Sequence, residues 1–299
     1  MSANASAVLT SHLSRGRRLR DRAATAGVWL SVVVAAAPLV FVMAYLVQKG
    51  AKVVDWDFLT KAIPIISRLK GPGMGPAVLG TLMITGAATA MAVPLGVFAA
   101  VYLNEYGKKG RLANFIRFLS DVMAGVPSIV MGLFIYTVWV LSAPSFWVFH
   151  KGQSGFAGAL ALGCLMLPIV IRSAETALQL VPNELREASA ALGARTSRTI
   201  LTVVMPAALS GLVSGALLAV ARAAGETAPL LFTIGTVNAA NPHLFKGANT
   251  ALSTQIFKNA TQPFDAPIQR AWGAALTLIL LVFVLTAVAR LVARRFTLR

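Results

Sequence analysis

The sequence predicts an all-α polytopic membrane protein with six transmembrane helices. Three observations predict it. Of the 299 residues, 57% are hydrophobic and only 12% are charged, about half the charge of an ordinary soluble domain, and the mean hydropathy is +0.73. Apolar stretches recur at bilayer length, for which about 20 residues suffice. The 27 basic residues outnumber the 10 acidic ones, and they gather at the ends of the apolar stretches, as topology determinants do. No aromatic-basic patch or zinc-ligand spacing points to nucleic acid.

Residues 1–24 read as a basic tail, with Arg15, Arg17, Arg18, Arg20 and Arg22 against Asp21. The uncharged run between Arg22 and Lys49 is too long for a signal peptide and has no clear cleavage site, so it reads as a retained first span. Residues 25–70 then comprise this span and an external loop, and the loop, 48–76, ends in the chain-breaking GPGMGP. Residues 71–299 form the main transmembrane domain. Its second span is expected at 77–103, kinked at Pro94. A third is expected from Leu119 to Ser142, with Asp121 as a helix-start acid and Pro127 just beyond it. Trp139, Phe146, Trp147 and Phe149 suggest an interfacial belt around a short loop holding His150 and Lys151. The fourth span starts near Gly155 and passes Pro168 and Arg172. The fifth starts near Pro206, with Gly211 and Gly215 at the spacing that lets helices approach closely. The sixth covers Ala271 to Ala289.

Alternate loops are basic. The N-terminal tail has five basic residues, and the 104–117 loop, the 172–198 segment and the C-terminal tail have four each. The 143–153 loop has one and the 236–270 loop three. This alternation predicts cytoplasmic termini. The first external loop, with five basic residues, runs against it.

The longest charge-bearing amphipathic segment is 182–206, PNELREASAALGARTSRTILTVVMP. Asn183 can cap a helix, with Glu184 and Glu187 in the first turn where the macrodipole favours negative charge. Gly193 can end that helix in a left-handed conformation, and Thr196 can cap a second helix running to Pro206. Such a hairpin, apolar at Leu185, Ala188, Ala191 and Leu192, is either a docking element or a loop covering neighbouring helix ends.

Two arginines sit where charge is expensive. Arg222 lies four residues before Glu226, on the same helical face. Arg172 has Glu175 one turn on and is near enough to a span end to snorkel. If both face one cavity, their planar forks suit an oxyanion; the alternative is that each only makes a structural ion pair. The chain has no G-x-x-x-x-G-K-[ST] loop and no G-x-S-x-G or H-E-x-x-H motif, so no ATPase or hydrolase chemistry is expected of it. A single cysteine, Cys164, and three scattered histidines, His12, His150 and His243, support neither a disulfide nor a metal site.

With Glu187, Ala188, Ser189, Gly193, Val203, Met205 and Pro206 at their spacing, the hairpin resembles the EAA motif of ABC importer permeases, with Ser189 in place of the second alanine. GPAVLGTLMITGAATAMAVPLGVFAAVYLNEY, VPSIVMGLF, MLPIVIRSAETAL, ARAAGETAPLLFT and AWGAALTLILL resemble the PstA-type permeases of phosphate importers, and the resemblance extends over roughly 72–292. It implies a type I importer permease of MetI-like fold in a bacterial cytoplasmic membrane. Its implied partners are a PstC-type second permease, a PstB-type ABC ATPase dimer carrying ATP and Mg, and an extracytoplasmic PstS-type phosphate-binding protein; this chain itself would hold no cofactor. It also implies that Glu184, Glu187, Ala188, Gly193 and Pro206 couple to the ATPase. Arg172 and Arg222 would serve phosphate passage, with Glu226 preventing too tight a hold. Sulfate, molybdate or another oxyanion is the nearest alternative cargo. A stand-alone anion transporter is the alternative class, though the chain lacks a convincing internal repeat.

Overall fold

A computed structural model describes residues 15–66, 68–69, 71, 73–107, 110–141 and 152–297. The first 14 residues therefore lie outside the described residues, as do Lys108, Lys109, Phe146, Trp147, Phe149, His150 and Lys151, and so do the expectations placed on them. The chain divides into two units, Met1–Gln48 and Lys49–Arg299.

The first unit is one helix, the greater part of α1 (Arg15–Gly50). Through its middle the apolar side chains are exposed: Val28, Trp29, Leu30, Val33, Leu39 and Phe41 are all more than half exposed, and only toward the end of the unit is one, Leu46, buried. A helix that is apolar all round suits a lipid surrounding.

In the second unit the short α2 (Trp56–Thr60) is capped by the Asp55 carboxylate, which accepts from the Phe58 amide at 2.6 Å. The helix α3 (Gly75–Val101) runs straight into a π-helical turn, Tyr102–Gly107. Then come α4 (Arg111–Gly125), α5 (Ser128–Ile135) with a π-helical turn at Tyr136–Leu141, and α6 (Gly155–Gln179). Next are α7 (Asn183–Ala191) and α8 (Thr196–Thr199), with α9 (Met205–Gly225) joined to α8 through a π-helical turn at Ile200–Val204. Last come α10 (Ala228–Thr233), α11 (Leu252–Ala260) and α12 (Asp265–Thr297). Among the described residues there is no strand. Among the described residues five helices are long and apolar enough to cross a membrane, and α4 with α5 makes a sixth crossing if that bent pair is one span.

The core of this unit lies among α3, α6 and α9. Ile84, Ala88 and Ala92 of α3 meet Leu162, Met166 and Val170 of α6 and Ala219 and Ala223 of α9. A second cluster, with Ala100, Ala174, Ala177, Leu178, Val204, Ala208 and Leu212, continues the packing toward the other end of α6. Small residues dominate, which lets backbones approach closely where lipid offers no hydrophobic driving force. A Cβ built on Gly211 would fall 2.6 Å from that of Ala177, and one built on Gly215 would run into Ser173. The expected small-residue seam of the fifth span is therefore the α6–α9 contact.

Several expectations are corrected. The third span is not one straight helix, because α4 and α5 meet at 106°. Val126, in extended conformation at φ −71° and ψ 127°, precedes Pro127, whose ring disfavours the helical region for its neighbour and which has no N–H to continue the ladder. Asp121 consequently lies well inside α4 and not at a helix start. The last span begins at Asp265, six residues before Ala271, and the 236–270 loop contains α11. Arg270, counted as a loop cation, is 3% exposed inside α12 and donates from Nη1 to the Leu69 carbonyl at 2.6 Å. Pro182, not Asn183, takes the cap position of α7, and Arg195, not Thr196, that of α8. The second arm of the hairpin does not stop at Pro206: helix continues from Thr196 to Gly225. The π-helical turn just before Pro206 is the kind of break in the i→i−4 ladder that accommodates a proline ring and its missing donor.

Candidate functional site

The hairpin turns where its sequence asks it to. The residue after the Leu192 cap, Gly193, has φ +78°, a left-handed conformation in which glycine is favoured. The Gly193 amide donates to the Ala190 carbonyl at 2.9 Å and the Ala194 amide to the Ser189 carbonyl at 3.2 Å. This pair of bonds is the Schellman arrangement. Open space surrounds the position, so the backbone and not packing demands glycine. The Ser189 and Thr199 hydroxyls meet at 2.8 Å and tie the two arms of the hairpin together. The serine that departs from the family's alanine thus has a partner of its own.

No residue of α7 is buried. Glu184, Glu187 and Ala188 are exposed, as are Leu185 and Leu192, the latter at 89%. The exception in attachment is Arg186, which turns back toward the bundle. Its Nη2 donates to Glu105 Oε1 at 2.9 Å and to the Leu178 carbonyl at 3.0 Å, and its Nη1 to the Val181 carbonyl at 2.6 Å. One face of α7 is therefore anchored, and the remainder is open.

Arg172 lies near the α7 end of α6, in a cluster of charges. It pairs with Asp121 of α4 and lies 3.6 Å from Glu175. Glu175 is buried at 5% exposure and also accepts from Arg117 Nε at 2.8 Å. Arg117 donates from Nη2 to the Leu103 carbonyl at 3.1 Å. A cavity of about 310 Å³ opens among Arg117, Arg172, Glu175, Thr176 and Gln179. Asp121 is thus a partner of Arg172 and not an isolated helix-start acid.

Arg222 occupies the last turn of α9, and Glu226 lies just past the helix end with φ −68° and ψ 131°. The two are 3.6 Å apart, Arg222 at 67% side-chain exposure and Glu226 at 18%. They lie against Leu165, Met166 and Ile169 of α6. The Gly215–Ser173 contact sets Arg172 level with the middle of α9, so Arg222 stands about 10 Å further along the bundle by helical rise. The two arginines line different cavities on the same helix, α6, and are not brought into one site.

Sequence reasoning missed Arg117, Glu105 and Arg186. Each bonds across 58 to 81 residues of chain, beyond any local pattern. Among the described residues no group of three or more His, Cys, Asp and Glu is placed to hold a metal.

The fold and sequence have known counterparts. Residues 92–298 match the binding-protein-dependent transport system inner membrane component family. The chain is 41% identical over 287 residues to the phosphate transport system permease protein PstA 1 of Mycobacterium tuberculosis H37Rv, spanning 94% of this chain and 89% of that one. It is 39% identical over 266 residues to the phosphate transport system permease protein PstA of Haemophilus influenzae, spanning 88% and 90%. Among solved structures, a chain of the inward-facing MetNI methionine ABC transporter superposes with a TM-score of 0.60 at 20% identity, over 74% of this chain and 94% of that one. A chain of a bacterial alginate ABC transporter, in complex with its alginate-bound periplasmic protein, superposes with a TM-score of 0.65 at 16% identity, over 93% and 96%. These two share the fold. The chain belongs to the binding-protein-dependent transport system inner membrane components, as a multi-pass membrane permease of the PstA type.

Proposed function

We propose that this chain is the permease subunit through which an ATP-driven importer passes inorganic phosphate across the cytoplasmic membrane. The observation that carries the reading is identity of about two residues in five, over more than nine tenths of the chain, to a protein named as a phosphate transport system permease. In this reading the complex holds a PstC-type second permease, a PstB-type ATPase dimer that binds ATP and Mg, and a PstS-type phosphate-binding protein on the outer side. Both termini and residues 182–206 lie in the cytoplasm.

The exposed α7 docks on the ATPase. Glu184, Glu187 and Ala188 meet it, Gly193 sets the turn, and Pro206 marks the return into the bundle. Closure of the ATPase dimer moves the docked hairpins and opens the pathway outward. Arg222 and Arg172 then offer phosphate two footholds about 10 Å apart along α6. Glu226 weakens the first and Glu175 the second. Passage needs sites favourable enough to enter and weak enough to leave.

The test is uptake of labelled phosphate by the four-component complex in liposomes, with internal ATP and external binding protein. Uptake that requires ATP and survives excess sulfate supports the reading. Equal competition by sulfate or molybdate would move the cargo to another oxyanion, and uptake without the ATPase would point to a stand-alone transporter.

A further inference from the structure

Two arginines from different helices grip the same π-helical turn. Tyr102–Gly107 continues α3 as a wide turn, a geometry that recurs at functional sites. From α4, Arg117 donates to its Leu103 carbonyl at 3.1 Å. From α7, Arg186 donates to its Glu105 carboxylate at 2.9 Å. Glu105 has 8% side-chain exposure and also accepts from Asn104 Nδ2 at 2.7 Å. Both arginines line one cavity of about 540 Å³, together with Leu103, Asn104, Glu105 and Gln179. The same guanidinium edge of Arg117 holds Glu175, with Nε donating to Oε1 at 2.8 Å, and Glu175 in turn faces Arg172 at 3.6 Å.

The result is a series of ion pairs and hydrogen bonds joined through the backbone of the π-helical turn, where Arg117 holds the Leu103 carbonyl. It runs from α7 through Glu105, the π-helical turn and Arg117 to the buried Glu175, and ends at Arg172. Charge-assisted bonds of this kind are short and directional, so a displacement at one end alters the geometry available at the next. The series also has two settings by chemistry. Glu175 can take both guanidinium groups, as it does here, or give up Arg172 to another anion while Arg117 keeps the buried carboxylate compensated.

We propose that Glu105, Arg117 and Arg186 are positioning residues that transmit the placement of α7 to Arg172, so that the side of Arg172 facing Glu175 opens to an oxyanion only in one setting of the docked hairpin, while Asp121 keeps the other side. The proposal rests on the phosphate-importer reading and adds the internal connection between its two ends. When the ATPase draws α7 aside, Arg186 pulls on Glu105, the turn shifts the anchor of Arg117, and Glu175 follows Arg117 away from Arg172. Phosphate takes the vacated side of Arg172. Relaxation of α7 returns Glu175, which displaces the phosphate toward the α7 end of the bundle. No covalent step is involved.

The experiment uses the complete complex in liposomes and reads phosphate transported per ATP hydrolysed. Glu105→Gln removes the charge that Arg186 holds. The expected result is that the ATPase still co-purifies and still hydrolyses ATP within about twofold of wild type, while phosphate carried per ATP falls at least about fivefold, the lower end of typical coupling between sites. The exchanged pair Glu105→Arg with Arg186→Glu should restore the ratio to within about twofold of wild type. If Glu105→Gln does not assemble, Arg117→Lys supplies the same reading, since lysine keeps the charge but lacks the fork that holds Leu103 and Glu175 together. An unchanged ratio, an equal fall in hydrolysis and transport, or an exchanged pair no better than the single variant would each overturn the proposal. A wild-type complex that carries no phosphate would instead overturn the importer reading, so the two failures are distinct.

Discussion

Gly215 of α9 lies directly on Ser173 of α6, the residue next to Arg172; a single added methyl group would run into the serine side chain. One turn away Gly211 lies on Ala177 in the same manner. These contacts lock the register of α6 against α9, and with it the separation of Arg172 from Arg222.

Enlarging this seam should separate the helices. Gly215→Leu is expected to destabilise the protein by about 1–3 kcal/mol, the usual cost of overpacking a filled contact. A lower midpoint of thermal unfolding in detergent would show it. The same substitution at Gly86, which is exposed and where an added Cβ meets nothing within 4 Å, should leave the midpoint near that of wild type.

At Gly193 the constraint is the backbone, at φ +78° with open space around it. Gly193→Ala is expected to cost about 1–2 kcal/mol locally, the penalty of the left-handed conformation for an ordinary residue. Gly193→Asn should cost less, because asparagine tolerates that region. The measurement is the fraction of ATPase subunit that co-purifies with the permease: reduced for alanine and nearer wild type for asparagine. Equal retention by both variants would show that the turn geometry is not what docking requires.

Of the two arginines proposed to serve phosphate passage, Arg222 is the more dispensable for folding. It is two-thirds exposed, and the one ion pair found for it, with Glu226, is 3.6 Å long; such exposed pairs contribute about 0–1 kcal/mol. Arg222→Gln should therefore assemble normally while phosphate uptake falls by about tenfold, equivalent to 1.4 kcal/mol of lost stabilisation along the path. Arg172→Gln should also assemble, because Glu175 keeps Arg117. Uptake at the wild-type rate in either variant would make that arginine structural.

What the sequence made legible is what local chemistry encodes. Five of the six apolar runs appear as long helices, because run length and hydropathy are local quantities. The turn at Gly193 was readable because left-handed backbone selects glycine, and the Gly211–Gly215 seam because close helix approach selects small residues. The break between α4 and α5 went unread although Pro127 was in view: an apolar run keeps its hydropathy when its direction changes by 106°. Capping was misplaced by one residue, since Pro182 and Arg195 take the cap positions and no side chain caps either helix there. The partners of Arg172 were only half legible. Glu175 is one turn away in sequence, whereas Asp121 lies 51 residues off on another helix. The Arg186–Glu105 pair spans 81 residues, and nothing in either local context marks it.

The segment GETAPLLF carries part of the PstA resemblance, and the structure gives it a packing role. Pro229 and Leu230 of α10 are buried, with Pro229 against Gly132 of α5 and Leu230 in the core cluster with Ile84 and Leu162. Its first residues, Glu226 and Thr227, form the break after α9 where Arg222 finds its acid. The resemblance in sequence and the position of the arginine are thus linked through one short half-helix.

The most direct test of the account is initial-rate uptake of labelled phosphate by the reconstituted four-component complex, with and without internal ATP, alongside the Arg222→Gln complex. The account predicts ATP-dependent accumulation that excess sulfate does not suppress, reduced by about tenfold in the variant while ATPase co-purification is unchanged. Phosphate accumulation that ignores ATP, or that proceeds equally through the variant, would contradict it.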